Sequence, residues 1–313
     1  MLKNDKNYSF VIPHHNTPDL LQRLINSIPQ REDIEIIVVD DNSDEDKKAA
    51  VSRPDVKIIF IDKEHTKGAG RARNIGMKAA IGKWLLFADA DDIYKPNFIT
   101  VLDEYKDDDI EILFFNVDSV DSVTMKHGHD RTKLEQRILE SYDGSPQKVD
   151  ELLFLRWGPW RKMLRTDFVR KYGFFYEEIP NGNDVLFSLM TSYFTTKWKV
   201  DKRILYSLSY RMGSITYSKL NKRKYSTTIN NIVRRREFFN FIGHPEWMSI
   251  LNRGSEIPSL SKYMLRKLKT RPLKGLEIIF YYLTHRKSIQ NGANYYVYVA
   301  NVIELSTKYA NRK

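Results

Sequence analysis

Cysteine is absent from this 313-residue sequence, and its absence excludes several classes of site. A chain without cysteine has no disulfide framework, no thiolate ligands for a metal and no cysteine nucleophile. This composition suits a reducing compartment. We therefore expect a cytoplasmic protein, whose contact with the cell membrane would be peripheral and on the inner face.

Long apolar segments are absent as well. No stretch of about 18 uncharged apolar residues occurs, so we expect no membrane-spanning helix. The opening residues, MLKNDKNYSFVIP, contain no apolar run of the length that a signal peptide needs. Apolar residues nevertheless make up 42% of the chain, which is enough for one large α/β domain with an appendage or for two small domains.

Acidic residues are scarce in the last part of the chain. From Lys202 onward there are 22 Lys/Arg and 5 Asp/Glu, a net charge of +17, whereas residues 1–201 carry 29 basic and 35 acidic residues, a net charge of −6. This asymmetry indicates an acidic partner, either an anionic membrane surface or a nucleic acid, unless the basic surface is simply solvated. Residues 261–287 mix Lys and Arg with Leu, Ile, Phe and Tyr, which is typical of helices in a membrane interface. A helical bundle packed on the preceding domain is the alternative.

The first 120 residues alternate between two patterns. Short continuous apolar runs are separated by stretches with apolar residues at helical spacing, which predicts a mostly parallel sheet covered by helices on both faces. In such sheets, ligands bind beyond the carboxyl ends of the strands. We predict strands at Tyr8–Ile12, Ile34–Val39, Lys57–Ile61, Trp84–Ala88 and Ile110–Val117, and helices at Asp19–Ile28, Asp44–Val51, Gly70–Ile81 and Pro96–Tyr105.

The pattern changes after this region. Residues 121–149 are polar and have no clear period, so we predict an inserted loop or lid. A further helix is predicted at Asn183–Phe194 and a strand at Arg203–Tyr210. After Gly213 the pattern becomes helical and basic.

Two of the predicted strands end in acidic clusters, which should therefore face one cleft. Asp89 and Asp91 are two residues apart, so an extended backbone places their carboxylates on the same side. Two hard oxygen ligands suit Mg²⁺ or Mn²⁺, whose open positions are usually filled by substrate phosphates. A solvated turn with a helix-capping Asp is the alternative. After the second strand, a carboxylate in the run Asp40-Asp41-Asn42-Ser43 could accept hydrogen bonds from a nucleotide base or ribose, or could stabilise a turn.

Several segments, taken together in order and spacing, resemble the family 2 glycosyltransferases of the type that builds bacterial surface polysaccharides. That family has the GT-A fold, and the resemblance covers roughly residues 8–216. The segments that carry it are SFVIPHHN (residues 9–16), IIVVDDNSD (36–44), GAGRARNIGMKAAIGKWLLFADADD (68–92), GPWRKML (158–164), NDVLF (183–187) and YRMGSIT (210–216).

The resemblance implies a fold, a reaction and a domain plan. Residues 1–216 would form a Rossmann-like GT-A domain, a mostly parallel mixed sheet flanked by helices that binds the nucleotide-sugar. Residues 217–313 would form a basic, mainly helical region that faces the membrane or the acceptor. The enzyme would transfer a hexose or N-acetylhexosamine with inversion, from a UDP-sugar to a hydroxyl of a glycan or lipid-linked acceptor, with Mn²⁺ or Mg²⁺ bound.

The resemblance also assigns roles to residues near the donor. Asp41 would contact the base, and Pro13 and His15 would line the base pocket, where the family usually has tyrosine instead of His15. Arg73 would face the nucleotide or its diphosphate. Asp89 would touch the ribose or the sugar, and Asp91 would ligate the metal.

Other residues fall near the acceptor or the phosphates. Asp184 matches the catalytic base of the family's Glu-Asp motif, and Asn183 stands where the family has Glu. From the residues alone, Asp184 could equally be a helix N-cap. Trp160 could stack on a sugar or pack in the core. Arg211 could neutralise phosphate or form a surface ion pair.

Two other functions compete with sugar transfer. A nucleotidyltransferase would need a glycine-rich phosphate loop near the N-terminus, where this chain has PHHN without glycine. A non-catalytic nucleotide-sugar or nucleic-acid binding protein would use the basic tail, and its binding to nucleic acid would depend steeply on salt. We favour the transferase. We do not expect nucleic acid to be the partner of the basic region.

Overall fold

The computed structural model describes residues 6–66, 68–128, 132–155, 158–179 and 182–210, together with residues 235, 238–240 and 243. Contacts between residues divide the chain into two units, Met1–Ser218 and Lys219–Lys313. Nearly all described residues belong to the first unit. The predicted domain boundary after residue 216 stays a prediction, and the basic helical region 217–313 lies almost wholly outside the described residues.

The first unit contains eight strands and seven α-helices among its described residues. The strands are β1 Tyr8–His14, β2 Ile34–Asp41, β3 Val56–Ile61, β4 Trp84–Phe87, β5 Ile93–Tyr94, β6 Ile112–Asp121, β7 Lys162–Arg165 and β8 Trp198–Tyr210. The helices are α1 Pro18–Ser27, α2 Ala69–Ala79, α3 Phe98–Asp103, α4 Lys133–Glu140, α5 Pro146–Phe154, α6 Thr166–Tyr172 and α7 Asp184–Phe194.

The strands form one mixed sheet in the order β3-β2-β1-β4-β7-β6-β8-β5. Strands β3, β2, β1 and β4 pair in parallel, as do β6 and β8, whereas β7 and β5 pair antiparallel with their neighbours. The predicted mostly parallel, mixed sheet is therefore confirmed. The chain moves outward from β1 through β2 to β3 and then returns to the other side of β1 as β4, which creates a switch point where ligands bind in such sheets.

The apolar runs become strands because both faces of the sheet are covered. Phe10, Val11 and Ile12 on β1 are fully buried, as are Ile36 to Val39 on β2. A continuous apolar run is the pattern that a strand buried on both faces requires. Because the central strands are fully buried, the residues at their carboxyl ends are held in fixed positions.

Two sequence predictions about elements were wrong, and some elements were missed. Only a single 3₁₀ turn, Glu45–Lys47, forms within the predicted helix Asp44–Val51. The predicted loop at 121–149 contains the helices α4 and α5 among its described residues. Strand β7 and helix α6 were not predicted, because the run Lys-Met-Leu-Arg carries charged residues at both ends and reads as surface.

Among the residues that the structure describes, none of the helices is both long and apolar enough to cross a bilayer.

Candidate active site

The acidic end of β2 holds the start of helix α2 in place. Asp41 is 7% exposed, and its two carboxylate oxygens accept hydrogen bonds from the Thr66 hydroxyl and the Gly68 amide, both at 2.8 Å. Gly68 has a φ of 84°, which residues with a side chain rarely adopt, so glycine suits this turn into α2. Each carboxylate oxygen can accept more than one hydrogen bond, so Asp41 could also receive one from a base.

The residues predicted to line the base pocket lie beside Asp41. His15 is exposed, and its Nδ1 lies 3.0 Å from the backbone oxygen of Asp41. Pro13 is half-buried on β1, where its Cα is paired with that of Val39. These residues therefore share the sheet edge on which the sequence placed them.

A buried His–Asp pair behind this pocket was not predicted. His14 Nδ1 lies 3.0 Å from Asp40 Oδ2, and the Thr17 amide at the start of α1 donates to His14 Nε2 at 3.2 Å. Since the Thr17 amide can only donate, Nε2 of His14 accepts and Nδ1 donates to Asp40. The pair fixes the turn from β1 into α1.

Asp40 is held as a carboxylate by its partners. Burial alone would raise its pKa, but hydrogen bonds from the amides of Ala49 and Ser43, and from the side chains of Ser43 and His14, keep the pKa of Asp40 below its usual value. The adjacent aspartates thus have separate partners: Asp40 accepts hydrogen bonds from the loop after β2, and Asp41 accepts them from the turn into α2.

Arg73 connects the acidic loop after β4 to the loop before α7. Its guanidinium donates to Asp89 Oδ1 at 2.5 Å and to Asn183 Oδ1 at 2.8 Å, and it lies 5.3 Å from the ring centroid of Tyr176. Arg73 is only 6% exposed. The loops that carry Asp91 and Asp184 therefore converge on one buried cation, although these segments are more than 90 residues apart in sequence.

The acidic loop is fixed from the side of β8. Tyr206 accepts a hydrogen bond from the Asp89 amide at 2.9 Å and donates one to Asp92 Oδ2 at 2.8 Å. The Ser209 amide donates to Asp92 Oδ1 at 2.7 Å. Burial and the nearby Asp91 and Asp89 raise the pKa of Asp92 well above its usual value. Asp92 is therefore turned inward, while Asp89 and Asp91 are partly exposed.

Arg23 on α1 fixes the same loop from another direction. Its guanidinium donates to the backbone oxygens of Asp91 at 2.7 Å and Ser122 at 2.6 Å, and to the Ser209 hydroxyl at 3.0 Å. The backbone at Asp91 is thus tied both to a helix and to the end of β8. Neither Arg23 nor Tyr206 belongs to a recognisable motif, so the sequence offered no signal for these contacts.

Asp184 is the first residue of α7 and is half-buried. Burial raises the pKa of its carboxyl to about 6; Arg73 and Lys162 oppose this rise, and Asp89 adds to it. In the part of the chain that the structure describes, no other side chain donates a hydrogen bond to this carboxylate. Asn183 precedes it and makes no side-chain cap for α7, because its amide oxygen accepts from Arg73. A carboxyl group with these properties can take up a proton near neutral pH.

The divalent ion implied by the resemblance would need few protein ligands. No group of three or more His, Cys, Asp or Glu that could hold a metal occurs among the described residues. Asp92 is committed to Tyr206 and Ser209, and Asp89 is paired with Arg73. Mg²⁺ and Mn²⁺ often bind through one or two carboxylates and complete their shell with phosphate oxygens and water. Asp91, with Asp89 beside it, fits an ion that arrives with a diphosphate.

Of the remaining predicted residues, Trp160 is buried in the core and Arg211 lies outside the described residues. Trp160 is 8% exposed and belongs to the main core, where its ring lies parallel to that of Tyr206 at 6.1 Å. Trp160 lies in the 3₁₀ turn Pro159–Arg161 before β7, and one face of its indole packs on Tyr206. The expected contact with a sugar stays a prediction. Arg211 lies outside the described residues, so its expected phosphate contact stays a prediction.

The neighbour of Trp160 in the same motif was missed. Lys162 is 1% exposed, and its Nζ lies 5.5 Å from the ring centroid of Phe114. Lys162 directly precedes the short apolar pair Met163-Leu164, which is the one local sign of a buried strand here. Charged residues are mostly exposed, so the sequence alone favoured a surface position.

The known proteins to which this chain is similar in sequence are named as glycosyltransferases. An uncharacterized glycosyltransferase of Nostoc sp. is 32% identical over 133 residues, which are 40% of this chain and 38% of that protein. The UDP-Glc:α-D-GlcNAc-diphosphoundecaprenol β-1,3-glucosyltransferase WfaP of Escherichia coli is 34% identical over 89 residues, 28% of this chain and 36% of that protein. The chain thus spans well under half the length of these curated relatives.

A solved structure agrees with the fold. Residues 1–349 of S. aureus TarS in complex with UDP-GlcNAc superpose with a TM-score of 0.61 at 20% identity, covering 85% of this chain and 78% of that one. This likeness confirms the predicted GT-A architecture. The sequence profile of glycosyl transferase family 2 matches residues 9–168, about half of the chain. With the sheet order, the converging acidic loops and this match, the chain belongs to glycosyl transferase family 2.

Proposed function

We propose that this chain is an inverting glycosyltransferase that moves a hexose or N-acetylhexosamine from a UDP-sugar to a hydroxyl of a glycan or lipid-linked acceptor. The reaction would take place in the cytoplasm, at the inner face of the membrane, during surface polysaccharide biosynthesis. The observation that carries this proposal is the Arg73 bridge, which joins Asp89 to Asn183 and so brings the donor loop and the base loop together.

The donor would lie across the carboxyl ends of β1, β2 and β4. Asp41, Pro13 and His15 line the edge where the base would bind, and Arg73 and Asp89 lie further along the same edge toward the sugar. The diphosphate would lie by Asp91, where a bound Mn²⁺ or Mg²⁺ would act as a Lewis acid on the charge of the departing nucleotide. Two similar proteins are named for UDP-sugars, WfaP for UDP-Glc and the TarS complex for UDP-GlcNAc, which supports uracil as the base.

Asp184 would act as the general base. Its carboxylate would remove the proton from the acceptor hydroxyl while that oxygen bonds to the anomeric carbon. The bond from the anomeric carbon to the diphosphate oxygen breaks on the opposite side, and its electron pair leaves with UDP. One carboxylate is enough for this single displacement, which inverts the configuration. A positioned base contributes roughly 10²–10⁴-fold to such a step.

A lipid-linked acceptor fits the relatives. WfaP is named for an acceptor of the diphosphoundecaprenol type, and a protein of Rhizobium meliloti that is 36% identical over 92 residues is named for succinoglycan biosynthesis. This chain would therefore extend a glycan carried on a polyprenyl diphosphate. The basic residues after Lys202 would bring the protein to the anionic membrane surface that holds such an acceptor.

The test is a transfer assay with a panel of radiolabelled UDP-sugars, an N-acetylglucosaminyl-diphospholipid acceptor and Mn²⁺. We expect one UDP-sugar to give a glycosylated lipid with inverted configuration. Asp184→Asn should bind UDP as tightly as wild type and lose at least about 100-fold in turnover, because only the proton acceptor is removed. Asp167→Asn, which changes an exposed carboxylate on α6, serves as the matched control.

Two results would count against the proposal. Wild-type turnover by Asp184→Asn would remove this residue from the mechanism. Absence of transfer from every UDP-sugar, combined with retained UDP binding, would favour a protein that binds nucleotide-sugars without reacting them.

A further inference from the structure

The turn at the end of β6, residues 121–126, presents apolar side chains to solvent. Five large apolar side chains are exposed among the described residues, and two of them lie on this β6 turn, Val123 at 86% and Met125 at 38%. Single exposed apolar residues are common on protein surfaces, but turns are built mostly from Gly, Pro, Asn, Asp and Ser. An almost fully exposed valine with an exposed methionine two residues further on therefore calls for an explanation.

Hydrogen bonds within the β6 turn fix its shape. Asp121 Oδ1 accepts from the amides of Val123 at 3.1 Å and Thr124 at 2.8 Å, and from the Thr124 hydroxyl at 3.0 Å. The Met125 amide donates to the backbone oxygen of Asp121, and the Asp121 amide donates to that of Lys126, both at 2.9 Å. The apolar side chains are thus held in the exposed position by the backbone of the turn itself.

Met125 has a backbone conformation that residues with a side chain seldom adopt. Its φ is 56°, in the left-handed region. The other non-glycine residues of the described segments in this region are all asparagines, Asn16, Asn42 and Asn97, and asparagine tolerates it well. Strained backbone of this kind is kept mostly at functional sites. A methionine at such a position therefore points to a role for its side chain.

The β6 turn lies at the edge of the sheet that carries the candidate active site. Strand β7 is antiparallel to both β4 and β6, so β4 and β6 run in the same direction and end at the same edge. Arg23 connects the turn to the acidic loop, because it donates to the backbone oxygens of Ser122 at 2.6 Å and Asp91 at 2.7 Å. The Met125 sulfur lies 3.6 Å from the same guanidinium. The exposed apolar groups therefore stand beside the loop that holds Asp91.

The chemistry of the β6 turn fits the boundary between lipid headgroups and acyl chains. Its exposed side chains are apolar, apart from Thr124 and the cation of Lys126, while the carboxylate of Asp121 is bonded to the turn itself. Apolar groups enter this boundary, and a neighbouring lysine is attracted to anionic headgroups. A stable protein interface buries about 800 Å² on each partner, far more than two side chains provide. A membrane is therefore favoured over a protein partner.

We propose that the β6 turn is a membrane-contact element, which inserts Val123 and Met125 into the headgroup boundary of an anionic bilayer and so directs the active-site edge toward the acceptor. The presence of a bilayer at this edge rests on the proposed function, because an acceptor carried on a polyprenyl diphosphate is held at a membrane surface. Its reacting hydroxyl must reach the edge where Asp89 and Asp91 lie. The basic residues after Lys202 would add attraction without setting this orientation.

The absence of cysteine from the chain permits a site-specific test. Val123→Cys and the control Ile81→Cys are each labelled, in the full chain, with NBD, a fluorophore that brightens when it leaves water. Ile81 is 48% exposed and lies between α2 and β4, at the opposite edge of the sheet. With vesicles of equal parts phosphatidylglycerol and phosphatidylcholine, the label at 123 should brighten at least about twofold and shift to shorter wavelength. The label at 81 should not change.

Cosedimentation with the same vesicles measures how much the turn contributes to binding. Val123→Asp and Met125→Asp should each lower the vesicle affinity by about tenfold, because a carboxylate replaces an apolar group and is repelled by anionic lipid. Ile81→Asp is the matched control and should bind vesicles as wild type does. UDP binding in the absence of vesicles should be the same in all three variants.

Three results would overturn the membrane contact. The first is an unchanged label at 123 on protein that sediments with vesicles, since the basic residues after Lys202 would then account for binding. The second is an equal response at 81 and 123, and the third is a wild-type chain that does not bind the vesicles. Brightening at 123 without vesicles, as protein concentration rises, would indicate self-association instead. None of these measurements needs turnover, so a chain that inserts the turn but transfers no sugar contradicts the proposed function alone.

Discussion

At the scale of single residues, the candidate active site contains aspartates in contrasting environments. Hydrogen bonds from amides and from His14 keep the pKa of Asp40 low, whereas burial raises the pKa of Asp92. Asp184 lies between them, with a pKa of about 6. One residue type therefore provides a structural anion, an inward-facing loop anchor and a carboxyl group with a raised pKa, because each carboxyl group meets different partners.

The pH dependence of transfer should reflect Asp184. Its carboxylate is the active form, so kcat/KM should be constant above pH 7 and fall about tenfold per unit below an apparent pKa of about 6. Initial rates in a constant-ionic-strength buffer series from pH 4.5 to 8.5 measure this directly. A limb near pH 4, the usual range of an exposed Asp, would contradict the environment seen at Asp184.

Tyr206 should matter for donor binding through its hydroxyl group alone. Tyr206→Phe removes the link between the Asp89 amide and the Asp92 carboxyl, and leaving these buried groups unsatisfied costs roughly 1–3 kcal/mol. We expect weaker UDP binding with Mn²⁺, measured by calorimetry, together with a lower Tm. Tyr105→Phe breaks a hydroxyl–carboxylate hydrogen bond to Asp201 and is the control. Equal UDP affinity in both variants would show that the loop keeps its shape without Tyr206.

At the scale of elements, helix α2 organises the site more than any other. Its first turn is held by Asp41, and its Arg73 and Asn74 contact the segment that leads into α7. Asn74 exchanges two hydrogen bonds with the backbone of Tyr176, at 2.9 and 2.7 Å. Arg73 and Asn74 thus hold the segment that precedes Asp184 at Asn183 and Tyr176.

Gly70 permits the close approach of α2 to this loop. A Cβ at position 70 would lie 2.0 Å from the backbone oxygen of Glu177. Gly70→Ala should therefore displace the loop and lower kcat by at least about tenfold, since small misplacements of catalytic groups are costly. The control is Gly76→Ala on the same helix, whose Cβ would meet the Val11 side chain in the core.

The two glycine variants are compared by their activity per folded molecule, which removes differences in stability. Gly76→Ala should lower Tm with little change in the kcat of the folded fraction. Gly70→Ala should reduce kcat beyond what its unfolded fraction explains, as measured by activity per folded molecule. Similar kcat values for both variants would mean that α2 does not set the position of Asp184.

At the scale of the whole molecule, the sheet order brings the functional loops together. The switch point between β1 and β4 places the Asp41 pocket beside the Asp89–Asp92 loop. Parallel strands align their carboxyl ends, so residues from separate βα units meet at one edge. Strand β7 then supplies Lys162 next to this edge from more than 60 residues further along the chain.

Donor binding should stabilise the whole fold. A ligand at 100 times its Kd raises the free energy of unfolding by about 2.7 kcal/mol, so UDP with Mn²⁺ should raise Tm by several degrees. Chelating the metal with EDTA should remove most of this increase. In Asp91→Asn the increase should no longer depend on Mn²⁺, whereas the exposed control Asp107→Asn should behave as wild type. A full Mn²⁺-dependent increase in Asp91→Asn would exclude Asp91 as the ligand.

The sequence by itself determined the sheet and the composition of its functional edge. Apolar runs such as Ile34–Val39 are typical of strands buried on both faces, and the acidic groups that follow them lie at the carboxyl ends of β2 and β4, the two strands that flank β1. Asp41, Asp89 and Asp91 could be named for this reason and from the family resemblance, whereas Asp184, which begins α7, could be named from the resemblance alone. Their chemical roles remain proposals.

Only the tertiary structure decided which side chains meet. Arg73 bridges residues that lie 16 and 110 positions away, and Arg23 contacts residues 68 and 186 positions away. Trp160 packs on Tyr206, and Lys162 is buried against the Phe114 ring. No local pattern encodes such contacts, because they depend on the order in which strands β4, β7, β6 and β8 pair. Whether a charged residue is solvated or enclosed depends on that pairing as well.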